Sequence, residues 1–219
     1  MASDSLRDRL RALPAFGGDL PILEPETAPA DPLVLFIDWL ESAIAFPVAQ
    51  PHAMALATVD RTGVPSNRTL LLKDVTAEGL WFATMSSSPK GRELADNPRA
   101  AAVLYWQEQG RQVRVAGSVS MGPREVSDLD FLQRHPKARA TVIAGNQSSP
   151  IFSAEAYEAA VSSALVRVQS TPGLVPEAWN AYVLKPDSIE FWQAARRREQ
   201  QRLRYDRVDG EWMRSLLWP

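Results

Sequence analysis

The stretch from Ser66 to Tyr105, SNRTLLLKDVTAEGLWFATMSSSPKGRELADNPRAAAVLY, constrains this chain more than any other. It sets three apolar, strand-like runs (Thr69–Leu72, Leu80–Thr84 and Ala100–Tyr105) around a single helix start. Ser88 is a good N-cap, and Pro89 takes the first helical position, where its missing N–H costs nothing. Arg68 and Lys73 flank the first strand; Lys90 and Arg92 open the helix. Free N–H groups, hydroxyls and cations at one helix start make an anion site. A lysine in the first turn opposes the helix dipole, which itself points to a bound anion. The anion read here is a cofactor phosphate.

Composition narrows the remaining choices. The chain has 219 residues and a net charge of −2, which argues against general nucleic-acid or membrane-surface binding. The arginines of 196–207 form a basic cluster, but acidic residues interleave with them. Cysteine is absent, so thiolate chemistry and disulfides are excluded. With His52 and His135 the only histidines, no metal site is expected. No apolar run approaches a membrane span, and MASDSLRDRL lacks a signal-peptide core. The expectation is a soluble, cytoplasmic protein.

Residues 1–30 read as an irregular arm with a short helical piece at Ser5–Leu13, and 31–219 as one domain. Asp31-Pro32 caps a helix whose inner face is expected to carry Leu33, Phe36, Ile37, Leu40 and Ile44. Ala53–Asp60 and Pro65–Lys73 form a hairpin by pattern, and Ala100–Trp106 with Gln112–Met121 a second. Helices are expected at Pro89–Asn97, from Pro123 through PREVSDLDFLQR, and at Ser153–Gln169, with a less regular stretch before Pro150. Ala181–Leu184, Ser188–Gln193 and Arg202–Arg207 read as separate strands. Asp209-Gly210 turns tightly into Trp212–Leu217. Roughly six to eight strands with few long helices predict a mainly β protein, an antiparallel closed barrel with helices outside it.

RTLLLKD, GLWFAT, SPKGRELADNPRAAAVLYW, RQVRVAG, NQSS, EFWQ and RLRYDR follow one another in that order. The series resembles the pyridoxamine 5′-phosphate oxidase family, which carries FMN on a split β-barrel of antiparallel, Greek-key type. KGREL, LYW and RLRYDR look most like its phenazine-biosynthesis branch. The resemblance spans about Asp31 to Pro219.

It implies a role for particular residues. Arg68 and Lys90 would bind the FMN phosphate, and Pro89 stands where the family carries a further Arg. The backbone of Thr69, Leu70, Leu71 and Leu72 would run beside the flavin, with Lys73 ending that run. Ala83 and Thr84 would lie near the ribityl-phosphate, and Gln112 would hydrogen-bond the isoalloxazine. Gln147 and Ser148 would reach the same FMN from the second subunit of a homodimer. Trp192 would pack beside the ring and Arg202 would face its polar edge. Each has a blander reading too: a strand-end charge for Arg68, a solvated first-turn lysine for Lys90, a surface polar group for Gln112, core for Trp192.

The substrate side departs from the family. Lys73 and Arg134 match its substrate-phosphate cations. Its Tyr and Ser partners fall on Asp130 and Ala138, and its Arg-Leu-His motif falls on Arg198-Glu199-Gln200, so the His is missing. An acidic Asp130 beside a substrate phosphate is repulsive. The resemblance implies hydride transfer from a small, anionic substrate to flavin N5, with O2 as acceptor, as in pyridoxamine and pyridoxine 5′-phosphate oxidation. Two other readings stay open: an FMN oxidase acting on a phenazine-type dihydroaromatic, and a flavin-binding module without catalysis. No acid–base catalyst is identified.

Overall fold

The computed structural model describes residues 5–14, 16, 20–145, 147–195 and 200–219. In chain order the elements are α1 (Leu6–Arg11), α2 (Pro32–Ala45), β1 (Ala53–Val59), β2 (Pro65–Leu71), β3 (Asp74–Thr76), β4 (Gly79–Met85), α3 (Pro89–Asp96) and β5 (Arg99–Trp106). A short 3-10 turn (Gln107–Gln109) leads to β6 (Arg111–Met121), α4 (Arg124–Gln133), α5 (Pro136–Ala144), α6 (Ala154–Ser170), β7 (Trp179–Gln193), β8 (Gln201–Val208) and β9 (Glu211–Leu216). The strands run in the order β2-β1-β5-β6-β7-β4-β3, with β8 paired to β7 and β9. Every pairing whose register is described is antiparallel. Among the described residues, no helix is long and apolar enough to cross a membrane.

The residues cluster into two compact units. One gathers Met1–Pro51, Tyr105–Val113 and Glu190–Pro219; the other gathers His52–Leu104 and Arg114–Ile189. Neither is a continuous piece of chain, which is why no linker marks the division in the sequence.

In the second unit, Asp60 shapes the β1–β2 turn. Its carboxylate accepts from the backbone N–H of Thr62 (2.8 Å) and Val64 (3.0 Å), and Gly63 takes φ 87°. β1 alternates strictly, burying Met54, Leu56 and Thr58. β2 ends the strand order and has no buried residue, so one of its edges has no strand partner among the described residues. α3 starts as its sequence dictates: Ser88 Oγ accepts from Gly91 N–H at 3.2 Å, with Pro89 at the first position. Gly91 is required there, since a Cβ would sit 2.4 Å from the Met85 carbonyl oxygen.

In the first unit, Trp39 of α2 packs edge-on against Phe191, and Phe191 against Tyr205. Tyr205 donates to the Pro29 carbonyl at 2.8 Å, tying down residues that have little regular structure of their own. Asp209 and Gly210 adopt φ 50° and 89°, the pair of positive angles that a tight two-residue hairpin turn needs.

Three expectations change. α2 buries Leu33, Leu35, Phe36, Trp39 and Ala43, whereas Ile37 and Ile44 are exposed. The face is turned because the large Trp39 ring, with the Arg111 guanidinium 4.3 Å from its centre, claims the interior. The stretch expected to be irregular before Pro150 contains α5, with His135 Nδ1 accepting from Lys137 N–H and Pro136 at the first position. α5 has no clean apolar stripe; it is held by Ala140 against Val161, Ala164 and Val168, and by Arg139 donating to the Pro172 and Leu174 carbonyls. Finally, β7 runs unbroken through Lys185-Pro186-Asp187, joining the two runs expected to be separate strands.

Candidate functional site

A cavity of about 750 Å³ opens in the second unit at the start of α3. Its walls include Arg68, Thr69 and Leu70 of β2, Ala83 and Thr84 of β4, Pro89 and Lys90 of α3, and Gln147 and Ser148 of the loop after α5. Arg134 and Trp179 also line it. The structure thus joins nine of the residues assigned to the cofactor and one assigned to the substrate. Leu71 is exposed and Leu72 buried, and neither lines the cavity.

Lys90 dominates the electrostatics. It is only 7% exposed, and its Nζ donates to Thr84 Oγ1 at 3.0 Å and Ser88 Oγ at 3.4 Å. Among the described residues no carboxylate forms an ion pair with it. Its pKa is lowered to about 8, first by burial and then by the nearby Arg68, with Glu93 opposing the shift. A buried ammonium facing two hydroxyls and a helix start is a site short of one negative charge.

Arg68, which the resemblance assigns to the cofactor phosphate, lines the cavity and also has partners within the chain. Its guanidinium donates to the Leu56 carbonyl (3.2 Å), Thr58 Oγ1, Ser66 Oγ and Glu93 Oε2 (3.2 Å). Glu93 Oε2 also accepts from Thr58 and from Ser66. These hydrogen bonds and Arg68 hold the Glu93 carboxyl below its usual range, against a burial contribution that raises it. Arg68 therefore lines the cavity with its charge already matched.

Gln147 and Ser148, which the family resemblance assigns to a second subunit, line the same cavity within this one chain. Ser148 takes φ 71°, uncommon for a residue with a side chain. On the substrate side, Lys73 Nζ lies 3.1 Å from Asp130 Oδ1, and Trp179 Nε1 donates to Asp130 Oδ2 at 3.0 Å. Arg134 stacks its guanidinium 4.6 Å from the centre of the Trp179 ring. Burial lowers the Arg134 pKa, and Asp130 opposes the shift. Ala138 lies on α5 and does not line the cavity.

Gln112, Trp192, Gln200 and Arg202 belong to the first unit. Gln112 is half-buried on β6. Trp192 Nε1 donates to Gln200 Oε1 at 2.8 Å, and Arg202 pairs with Glu190 at 2.7 Å and donates to the Trp218 carbonyl. Arg198 lies outside the described residues. Sequence reasoning missed Glu93, Thr58 and Trp179. Glu93 and Thr58 act through Arg68 from distant positions, and no local pattern pairs them; Trp179, just after Pro176, carried a signal only as an isolated aromatic.

Fold and cavity define the class: an antiparallel split barrel with a cavity at a helix start, lined by a buried lysine. Residues 40–166 match the family model described as Pyridoxamine 5'-phosphate oxidase. Residues 179–219 match the one described as Pyridoxine 5'-phosphate oxidase C-terminal dimerisation region. The chain belongs to the pyridoxamine 5′-phosphate oxidase family. It is 40% identical over 200 residues to the pyridoxine/pyridoxamine 5′-phosphate oxidase of Herminiimonas arsenicoxydans, covering 90% of this chain and 92% of that one. The solved structure of PhzG from Burkholderia lata 383, in complex with tetrahydrophenazine-1-carboxylic acid, superposes with a TM-score of 0.85 at 31% identity, covering 92% of this chain and 100% of that one. An FMN-binding protein from Nostoc punctiforme, at 20% identity and a TM-score of 0.68 over 85% of this chain and 96% of its own, shares the fold.

Proposed function

We propose that this protein is an FMN-dependent oxidase acting on a small anionic substrate. The observation that carries the reading is Lys90, a buried ammonium with hydroxyl partners and no paired carboxylate, at the open start of α3. That donor set suits a terminal phosphate monoester, because charge-assisted bonds to phosphate oxygens offset the cost of burying the cation. Lys90, Thr84 and Arg68 would hold the phosphate, and β2 with the loop carrying Gln147 and Ser148 would flank the rest of the cofactor. When bound, FMN would accept a hydride from the substrate and pass the electron pair to O2. The protein would position and screen: Trp179 presents an aromatic wall, and Arg134 supplies a cation for the substrate's anionic group.

A second reading concerns the substrate. The Lys73–Asp130 pair and the likeness to PhzG favour a dihydroaromatic acid of the phenazine type over pyridoxine or pyridoxamine 5′-phosphate. The match of residues 179–219 to a dimerisation region supports a homodimer; FMN at its interface is what the family resemblance would add. One experiment tests cofactor and assembly together. Sedimentation of the purified protein, followed in the flavin absorbance band, should show a flavin-loaded dimer that releases FMN, not FAD, on denaturation. A colourless protein that takes up no added FMN, or a flavin-loaded monomer, would sink the corresponding half of the reading.

A further inference from the structure

Asp130 uses both carboxylate oxygens inside the protein. Oδ1 meets Lys73 Nζ at 3.1 Å, and Oδ2 accepts from Trp179 Nε1 at 3.0 Å. The Asp130 side chain is only 15% exposed and that of Lys73 is 34% exposed. Lys73 is thereby held against α4, and neither partner lines the cavity, while Trp179 and Arg134 do. Arg134 keeps its guanidinium on the Trp179 face, and its buried Nε has no hydrogen-bond partner. Here the cavity is lined by one cation, Arg134, while the second, Lys73, is already neutralised by a carboxylate.

We propose that Asp130 makes the Arg134 end of the cavity selective for a singly charged carboxylate and against a phosphate dianion, by keeping Lys73 in an internal ion pair. A dianion brought to Arg134 would need a second cation to offset its desolvation. Lys73 could supply it only by leaving Asp130, and a bare carboxylate would then stand near the incoming phosphate. A carboxylate substrate needs Arg134 alone, and its planar two-oxygen head matches the guanidinium fork. The inference rests on the oxidase reading for the identity of the cavity as a substrate site.

The test uses two ligands that differ only in their anionic head, 1-naphthoate and 1-naphthyl phosphate. Both are titrated by fluorescence into protein saturated with FMN, so that the Lys90 cradle is filled. The pH is held well above the second phosphate ionisation of about 6, which keeps the phosphate a dianion. The wild type is expected to bind 1-naphthoate about tenfold tighter, one charge-assisted contact separating the two ligands. Asp130→Asn keeps an acceptor for the Trp179 indole and removes the charge; it should improve phosphate binding about tenfold by releasing Lys73. Adding Lys73→Met to that variant should abolish the gain. A wild type that prefers the phosphate, or binds neither probe, overturns the inference, as does an unchanged preference in Asp130→Asn. If Asp130→Asn does not fold, Lys73→Met alone decides: unchanged phosphate affinity supports an already neutralised Lys73, and a clear loss overturns it. Flavin uptake is measured separately. If no FMN binds, the oxidase reading fails, and the same titrations in a Lys90→Met background still read the Arg134 end.

Discussion

Two parts of one cavity's surroundings carry similar residues and the same pattern of charge pairing, but leave different cations unpaired. At the α3 start, Arg68 is matched by Glu93, but Lys90 is buried with only hydroxyls around it. At the Trp179 end, Lys73 is matched by Asp130, and the remaining cation, Arg134, is spread over an aromatic face. Each end thus pairs one cation internally and leaves one for a ligand. The cation left over is compact and set at a helix start in the first case, planar and stacked in the second. A count of Lys and Arg would score both ends as phosphate sites. What separates them is which cation remains uncompensated and what geometry it offers.

The comparison breaks most directly at Lys90. Lys90→Met, which keeps most of the buried stem, should weaken FMN binding by about a hundredfold, the upper range for losing a hydrogen bond to a charged group. Measured by flavin fluorescence, a change of less than a few-fold would show that the cradle does not depend on this cation.

A pH titration sharpens the same point. Lys90 has its pKa lowered to about 8 in the folded chain. A bound phosphate favours the protonated amine, so above that value binding must also take up a proton. FMN affinity should therefore hold below pH 8 and fall about tenfold per unit as the pH rises beyond it. For stability without ligand the sign is reversed. The unfolded chain keeps this proton up to the ordinary lysine value of 10.5, so this group's contribution grows more favourable between pH 8 and 10.5. Flat FMN affinity across this range would remove Lys90 from the phosphate site.

The smallest effect should come from Glu93→Gln. The amide keeps the acceptor for Thr58 and Ser66 but frees the Arg68 charge. Near pH 7, FMN affinity should rise about threefold, the size of a screened long-range charge effect, while the melting temperature falls. A loss of affinity would instead mean that Glu93 orients Arg68 for the ligand.

Local rules carried much of this molecule. Ser88-Pro89 starts a helix wherever it is placed before a helical run, Asp209-Gly210 makes a hairpin turn, and strict alternation makes β1 a half-buried strand. These depend on neighbours a few residues apart, so the sequence by itself determined the elements, and the order of their motifs pointed to the family. It also supplied most of the cavity wall, because β2, β4 and the α3 start are adjacent in the chain. Tertiary structure alone decided the pairing of charges. Glu93 reaches Arg68, and Asp130 reaches Lys73, across long stretches of sequence with no periodic relation. It alone made α5 a helix, since its support is packing against α6 and not an apolar stripe. It turned α2 so that Trp39 faces inward, and it carried β7 through Pro186. In each case free energy depends on groups that only folding brings within a few ångströms, where burial strengthens charge and packing effects that the open chain in water scarcely feels.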